Sequence, residues 1–340
     1  KFDVDQRRKQ NYPSFEFIQF YEGLQLALED LENQGISVVL NVVDVFSEAD
    51  SAVVNAFDRH NVAQSDFVIG MLTRKPFAKL AQLALQNRVF VINPLSTREG
   101  LVDGNPYIIR YMPSAKAVAK SMLDIVSASP NSNLYVIHSN GKEEQAMYNA
   151  LQEQLEGRND IKTTYFNWSQ NAKLASTLKT TDNNVLISIY DQGKDKNRIQ
   201  VSMLLSRLSA MTKGRPTLMT KDNYVRDLSD VDYQQLQNLN YTMLYTAYLD
   251  YNDPIHSSFI DRYKNRYKTA PQGMYAGMAH DILLYFSHAI SKKGSQFWKS
   301  PSIPKPAGML FPLHIQQKAA GSGFENQTAV FYRMNNLKLV

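Results

Sequence analysis

At 340 residues the chain has material for one large domain or two ordinary ones, and 44% hydrophobic with 20% charged residues suits globular cores. The net charge of +5 is mild and no block of five or six consecutive cations occurs, which argues against nucleic acid as a partner. Cysteine is absent, which excludes disulfides, thiol catalysis and thiolate metal sites, and no apolar run approaches a membrane span in length.

Residues 1–12, KFDVDQRRKQNY, are too polar and charged for a buried strand. A helix is expected from Ser14, where Phe17, Phe20, Tyr21, Leu24, Leu28 and Leu31 recur at three- and four-residue spacing and Gly35 supplies the C-terminal stop. Ile36–Val45 is β-branched and reads as a strand, Ser51–Asn61 as a helix and Phe67–Leu72 as a short apolar strand. Arg74–Asn87 is helical again, and Val89–Ile92 is a strand closed by Asn93-Pro94.

A second series opens with the strand Asn133–His138 and a helix over Lys142–Leu155. The strand IKTTYF, a helix near Ala172–Leu178, the strand Val185–Tyr190 and a helix over Arg198–Met211 follow. Thr217–Thr220 and Tyr241–Thr246 read as strands, and Asp253–Tyr267 and Met274–Lys293 as helices. Strands alternating with helices mean βαβ units and parallel sheets, and the alternation occurs twice, divided near Arg110–Ser114. A doubly wound lobe normally opens with a central buried strand, yet only the polar tail precedes the first helix. The expectation is a vacancy beside Val38–Val43 and Phe67–Leu72.

Familiar catalytic signatures are missing. No G-x-G-x-x-G follows a strand, and no P-loop, G-x-S-x-G elbow or H-E-x-x-H occurs. The six histidines, at 60, 138, 256, 280, 288 and 314, lack metal-ligand spacing, so neither a metal nor a cofactor is expected. Asp44, ending a strand, reads mainly as a turn cap, and Asp281, inside a helix, as a structural partner to backbone or a tyrosine.

Short polar loops at strand carboxyl ends remain: Thr73-Arg74-Lys75, Leu95-Ser96-Thr97, Ser139-Asn140-Gly141 and Asp191-Gln192-Gly193. Backbone amides at such helix starts bind carboxylate or phosphate. Arg74 and Lys75 occupy the helix end that prefers anions, so they either turn into solvent or answer a bound anion.

"FYEGLQLALEDLENQGISVVLNVVDV" resembles the first helix and second strand of type I periplasmic solute-binding proteins of the branched-chain amino-acid group. "FVIGMLTRKPFAKLAQLA" is similar to that family's strand, ligand loop and helix, "VFVINPLST" to its next strand and Pro-Ser/Thr loop, and "PYIIRYMPS" to its crossover. "FIDRYKNRYKTAPQGMYAGMAHDILLYFSHAI" resembles the return helices and "GSGFENQTAVFYRMNN" the closing strands. An envelope subgroup in which this module follows LysM repeats fits best.

The resemblance implies two Rossmann-like, doubly wound parallel-sheet lobes joined by a three-crossing hinge, with residues 1–111 and 250–318 as lobe one and 112–249 and 319–340 as lobe two. It implies a non-enzymatic module closing on a small, carboxylate-bearing ligand. Thr73, Arg74, Ser96 and Thr97 would serve from lobe one, Ser139, Asn140, Tyr190 and Asp191 from lobe two, and Tyr248 near the hinge. Arg74 and Lys75 replace the family's serine-rich loop, which favours a more anionic ligand than a neutral amino acid. The partners implied are a small molecule, a membrane transporter and peptidoglycan through an upstream domain, in the periplasm or envelope of a Gram-negative bacterium. No basic-then-apolar leader opens the sequence, as expected of a processed or trimmed chain. The alternative is a cell-wall or signalling domain that kept the fold and recognises a protein or a peptidoglycan fragment.

Overall fold

The computed structural model describes residues 14–128, 131–138, 141–180, 183–189, 198–221, 232–245, 247–299 and 301–340. First in the chain come α1 (Ser14–Asn33), α2 (Asp50–Arg59), β1 (Val68–Ile69), α3 (Arg74–Asn87), β2 (Val91–Asn93) and β3 (Ile108–Arg110). Next are α4 (Ala115–Ser127), β4 (Asn133–His138), α5 (Lys142–Leu155), β5 (Lys162–Asn167) and α6 (Asn171–Thr177). They lead into β6 (Asn184–Ser188), α7 (Arg198–Ser209), β7 (Thr217–Lys221), α8 (Tyr233–Asn238) and β8 (Thr242–Leu244). The chain ends with α9 (Pro254–Tyr267), α10 (Tyr275–Lys293), β9 (Ile315–Gln317), β10 (Phe324–Asn326), β11 (Phe331–Asn335) and β12 (Lys338–Leu339).

These elements form two compact units, Lys1–Met112 with Ala247–Gln327, and Pro113–Thr246 with Thr328–Val340. The first holds a sheet of order β1-β2-β3-β10-β9, parallel except for β9. The second holds β12-β11-β8-β7-β6-β4-β5, parallel from β5 through β8 and antiparallel at β11 and β12. The expected boundary after residue 318 moves to Gln327. Phe324 pairs with Ile109 and Glu325 with Arg110, so the last return to the second unit follows β10 instead of preceding it. Ala247 and Leu249 likewise belong to the first unit, packed with Phe259, Ile260 and Tyr263.

The strand expected over Ile36–Val45 forms no ladder among the described residues. Gly35, at φ +75°, stops α1 as its spacing predicts, and the Ile36 amide returns to the Leu31 carbonyl at 2.8 Å. Beyond it, no backbone hydrogen bond engages the amides of residues 37–45 among the described residues. Ile36, Val38 and Leu40 nonetheless pack on the core, while Val39 is 85% exposed. The alternation of a strand is present and its partner is not.

In the first unit the core is built on α1 against α10. Gly23 permits their contact, because a Cβ there would collide with the Ala276 carbonyl. Beneath this crossing lies a buried polar group. His280 is 1% exposed, with Nδ1 2.9 Å from Asp281 and Nε2 2.8 Å from Asp30. Arg262 also donates to Asp30 at 2.6 Å, and Asp281 accepts the Leu310 and Phe311 amides at 2.9 and 2.6 Å. Asp281 is therefore a structural partner to backbone, as its helical position suggested.

Two outcomes are expected. Gly23→Ala should destabilise the protein by about 2 kcal/mol or more, because two helix backbones must separate to admit one methyl. Urea unfolding of the purified variant measures it. For His280, burial opposes the charged ring, but hydrogen bonds to Asp281 and Asp30 outweigh it and raise the pKa above 6.5. A raised native pKa gives stability that is full below the unfolded value and lost as pH rises through the native one. The stability advantage of the parent over His280→Gln should therefore shrink from about pH 6.5 upward, read from denaturation curves at successive pH values.

Candidate functional site

In the first unit β1 and β2 lie side by side and parallel, with Val68 opposite Val91 and Ile69 opposite Ile92. Their following loops thus leave the same edge of the sheet, where open α/β sheets hold ligands. Gly70, Met71 and Leu72 lead from β1 into α3. Thr73 takes the N-cap position but makes no cap bond to the helix. Its hydroxyl donates instead to Glu48 Oε1 at 2.8 Å. Pro76 carries no N–H, and the Phe77 amide reaches the Thr73 carbonyl at 3.0 Å. Among the described residues the Arg74 and Lys75 amides have no acceptor, and no acid stands in the first turn. The positive end of α3 thus has Glu48 beside its N-cap residue but two amides without an acceptor among the described residues, with Thr73, Arg74 and Lys75 all exposed.

The loop after β2 is built around Asn93, which is 5% exposed. Its side-chain oxygen accepts the Leu95 amide at 3.2 Å and the Ser96 amide at 2.7 Å, folding the chain tightly over Pro94. Ser96 Oγ accepts the Arg98 amide at 3.2 Å, and the Arg98 carbonyl accepts Arg110 Nη1 at 2.5 Å. Arg110 also pairs with Glu325 across the β3–β10 ladder, their side chains 1% and 8% exposed. A buried ion pair at the end of β3 thereby anchors the loop after β2.

These two loops enclose a depression of about 340 Å³ whose walls include Met71, Arg74, Phe77, Asn93, Ser96 and Arg98. Of the expected first-unit residues, Arg74 and Ser96 meet there. Thr73 is engaged with Glu48, and Thr97 is exposed beside Ser96 without lining the depression. Tyr248 is half-buried and follows the chain's return at Ala247. Asn93 and Arg98 went unrecognised in the sequence. The Asn-Pro pair marked only a strand end, although an Asx side chain before a turn is the signal for amide capture.

In the second unit β4 and β6 are parallel neighbours, with Ile137 opposite Ser188. Ser139, Asn140, Tyr190 and Asp191, which follow those two strands, lie outside the described residues. The hydroxyl of buried Ser188 has no partner among the described residues. Asp44 is exposed, and no group of three or more His, Asp or Glu side chains suited to a metal occurs among the described residues.

Two parallel-dominated α/β sheets, with the chain passing three times between their units, define the two-lobe fold of type I periplasmic binding proteins. The chain belongs to the receptor family ligand binding region, whose profile matches residues 19–304. Solved structures share this fold at low identity. A branched-chain amino-acid ABC transporter periplasmic ligand-binding protein from Burkholderia xenovorans has a TM-score of 0.63 at 12% identity, over 95% of this chain and 89% of that one. An ABC transporter substrate-binding protein from Desulfitobacterium hafniense, in complex with Leu, has 0.60 at 14%, over 94% of each chain. A solute-binding protein of an ABC transporter from R. palustris, in complex with benzoate, has 0.50 at 12%, over 95% and 89%. No curated protein sequence matches.

Removing the carboxylate of Glu325 strands Arg110 in a buried site, where its Nε already has no partner among the described residues. Glu325→Ala should cost about 3–5 kcal/mol of stability. Hydrogen exchange should also show the Leu95 and Ser96 amides opening faster, because their turn loses its anchor.

Proposed function

We propose that the protein is a non-enzymatic solute-binding protein that captures a small carboxylate-bearing molecule for a membrane ABC transporter, in the periplasm. One observation carries the ligand class. Arg74, whose amide is acceptor-free among the described residues at the positive end of α3, lines a depression together with Ser96, and its amide and guanidinium match an anion. Arg74 and Lys75 are costly at a helix start without such a charge and favourable with it. The ligands named for two of the similar structures, leucine and benzoate, differ in shape and have a carboxylate in common, which supports the same reading.

In this proposal Arg74 gives the carboxylate a two-pronged donor, the α3 amides add neutral donors, and Ser96 offers a hydroxyl. Thr73 and Thr97 flank these groups. Ser139, Asn140, Tyr190 and Asp191 are the second unit's proposed ligand residues, Asp191 suiting an ammonium, and Tyr248 is proposed near the hinge.

Isothermal calorimetry with leucine, glutamate, benzoate, a dicarboxylate and muropeptide fragments tests this, with leucinamide as the uncharged control. Binding that requires the carboxylate, weakened about thirtyfold or more by Arg74→Ala, is expected from loss of a desolvated charged partner worth roughly 2–5 kcal/mol. Equal binding of leucine and leucinamide, indifferent to Arg74→Ala, would return the two cations to solvent. No binding across the panel would favour a domain that recognises a protein or a glycan.

A further inference from the structure

One carboxylate answers only half the positive charge of the depression beside α3. Its ionisable lining residues are Arg74 and Arg98, and neither an Asp nor a Glu belongs to its walls. Both arginines are exposed, and among the described residues neither guanidinium enters an ion pair or a hydrogen bond. Glu48 and Glu325, the acids bonded to residues around the two loops, answer other groups: the Thr73 hydroxyl at 2.8 Å and the Arg110 guanidinium. Glu99 follows Arg98 in sequence without lining the depression.

Arg98 starts from a fixed backbone. Its amide donates to Ser96 Oγ at 3.2 Å, and its carbonyl accepts Arg110 Nη1 at 2.5 Å. The buried pair of Arg110 with Glu325 holds the second of these groups, and the Asn93 side chain holds the Ser96 amide. A long side chain rooted in this way has less freedom to lose when a ligand orders it. The two cations reach the depression from separate elements, the start of α3 and the loop after β2. Much of the remaining wall is apolar, with Phe77 and Leu101 buried.

Water and salt screen two exposed cations while the depression is empty. A ligand that displaces the water must replace that screening, because an unpaired charge taken out of water is costly. A single carboxylate pairs with one guanidinium and leaves the other wanting. An ammonium group finds no counter-charge on these walls.

We propose, building on the carboxylate-binding function above, that this depression selects a small dicarboxylate, with Arg74 taking one carboxylate and Arg98 the other. Each planar guanidinium offers a fork that matches one carboxylate. A short carbon skeleton lies against Met71, Phe77 and Leu101. The volume of about 340 Å³ is at the small end for ligand sites and suits a skeleton of a few carbons. Arg98 is thus the residue that sets specificity for the second charge.

Calorimetry on the 340-residue chain tests this with malonate, succinate and glutarate, each beside its monoamide, which keeps the skeleton and one carboxylate. At least one diacid should bind about tenfold or more tightly than its monoamide. Arg98→Gln should bring that ratio close to one, and Arg98→Lys, which keeps the charge, should retain a preference. Thermal unfolding of ligand-free Arg98→Gln should match the parent, because the exposed side chain bonds to nothing among the described residues. Diacids that bind no tighter than their monoamides, or a preference that survives Arg98→Gln, would overturn the proposal. If the monoamides then still bind and Arg74→Ala weakens them, the carboxylate-binding function stands without the second charge. If none of these acids binds, both fall.

Discussion

The buried pair of Arg110 with Glu325 is the contact on which the first unit depends. It joins residues 215 positions apart in sequence, one on β3 and one on β10, across an excursion of the chain into the second unit. Two charges taken out of water gain little net stability and penalise every arrangement that separates them. Their value here is register. Arg110 spends its other guanidinium branch on the Arg98 carbonyl, so the alignment of β3 with β10 also sets the loop after β2. The shape of the candidate site is thus tied to the closing of the sheet.

Electrostatics at the site follow from what α3 lacks. A helix start is ordinarily quieted by a capping oxygen or an acid in the first turn. Thr73 has its hydroxyl on Glu48, and the next residues are Arg74, Lys75 and Pro76. The local sequence gives up helix stability and leaves unpaired donors with positive charge. Asn93 does the opposite across the depression, drawing two amides inward and holding Ser96 at the wall. One loop is left open to an anion and the other is fixed.

The segment after α1 obeys the same accounting of backbone groups. Residues 36–45 carry the composition of a strand, burial alternates over residues 36–40, and Ile36, Val38 and Leu40 already pack on the α1–α10 core. Hydrogen bonds are what they lack. Packing and pairing are separable here because side chains find the core from one face, whereas a ladder requires a second backbone at about 4.8 Å.

Much of this was legible in the sequence. Hydrophobic periodicity located α1, α3 and α10, the glycine at 35 ended the first helix, and the doubled strand–helix alternation fixed an α/β class with parallel sheets. Arg74 and Ser96 were recognisable as loop residues at strand carboxyl ends, since that position follows from chain order alone. The tertiary structure decided what depends on distant partners. It assigned 319–327 to the first unit because β10 pairs with β3, gave Asn93 and Arg98 their places, tied up Thr73, and left Ile36–Val45 without a ladder. Periodicity reports which face of a segment is apolar, a property of neighbours along the chain. Ladders, ion pairs and hydrogen-bond acceptors come from residues tens to hundreds of positions away, and only the folded chain brings those together.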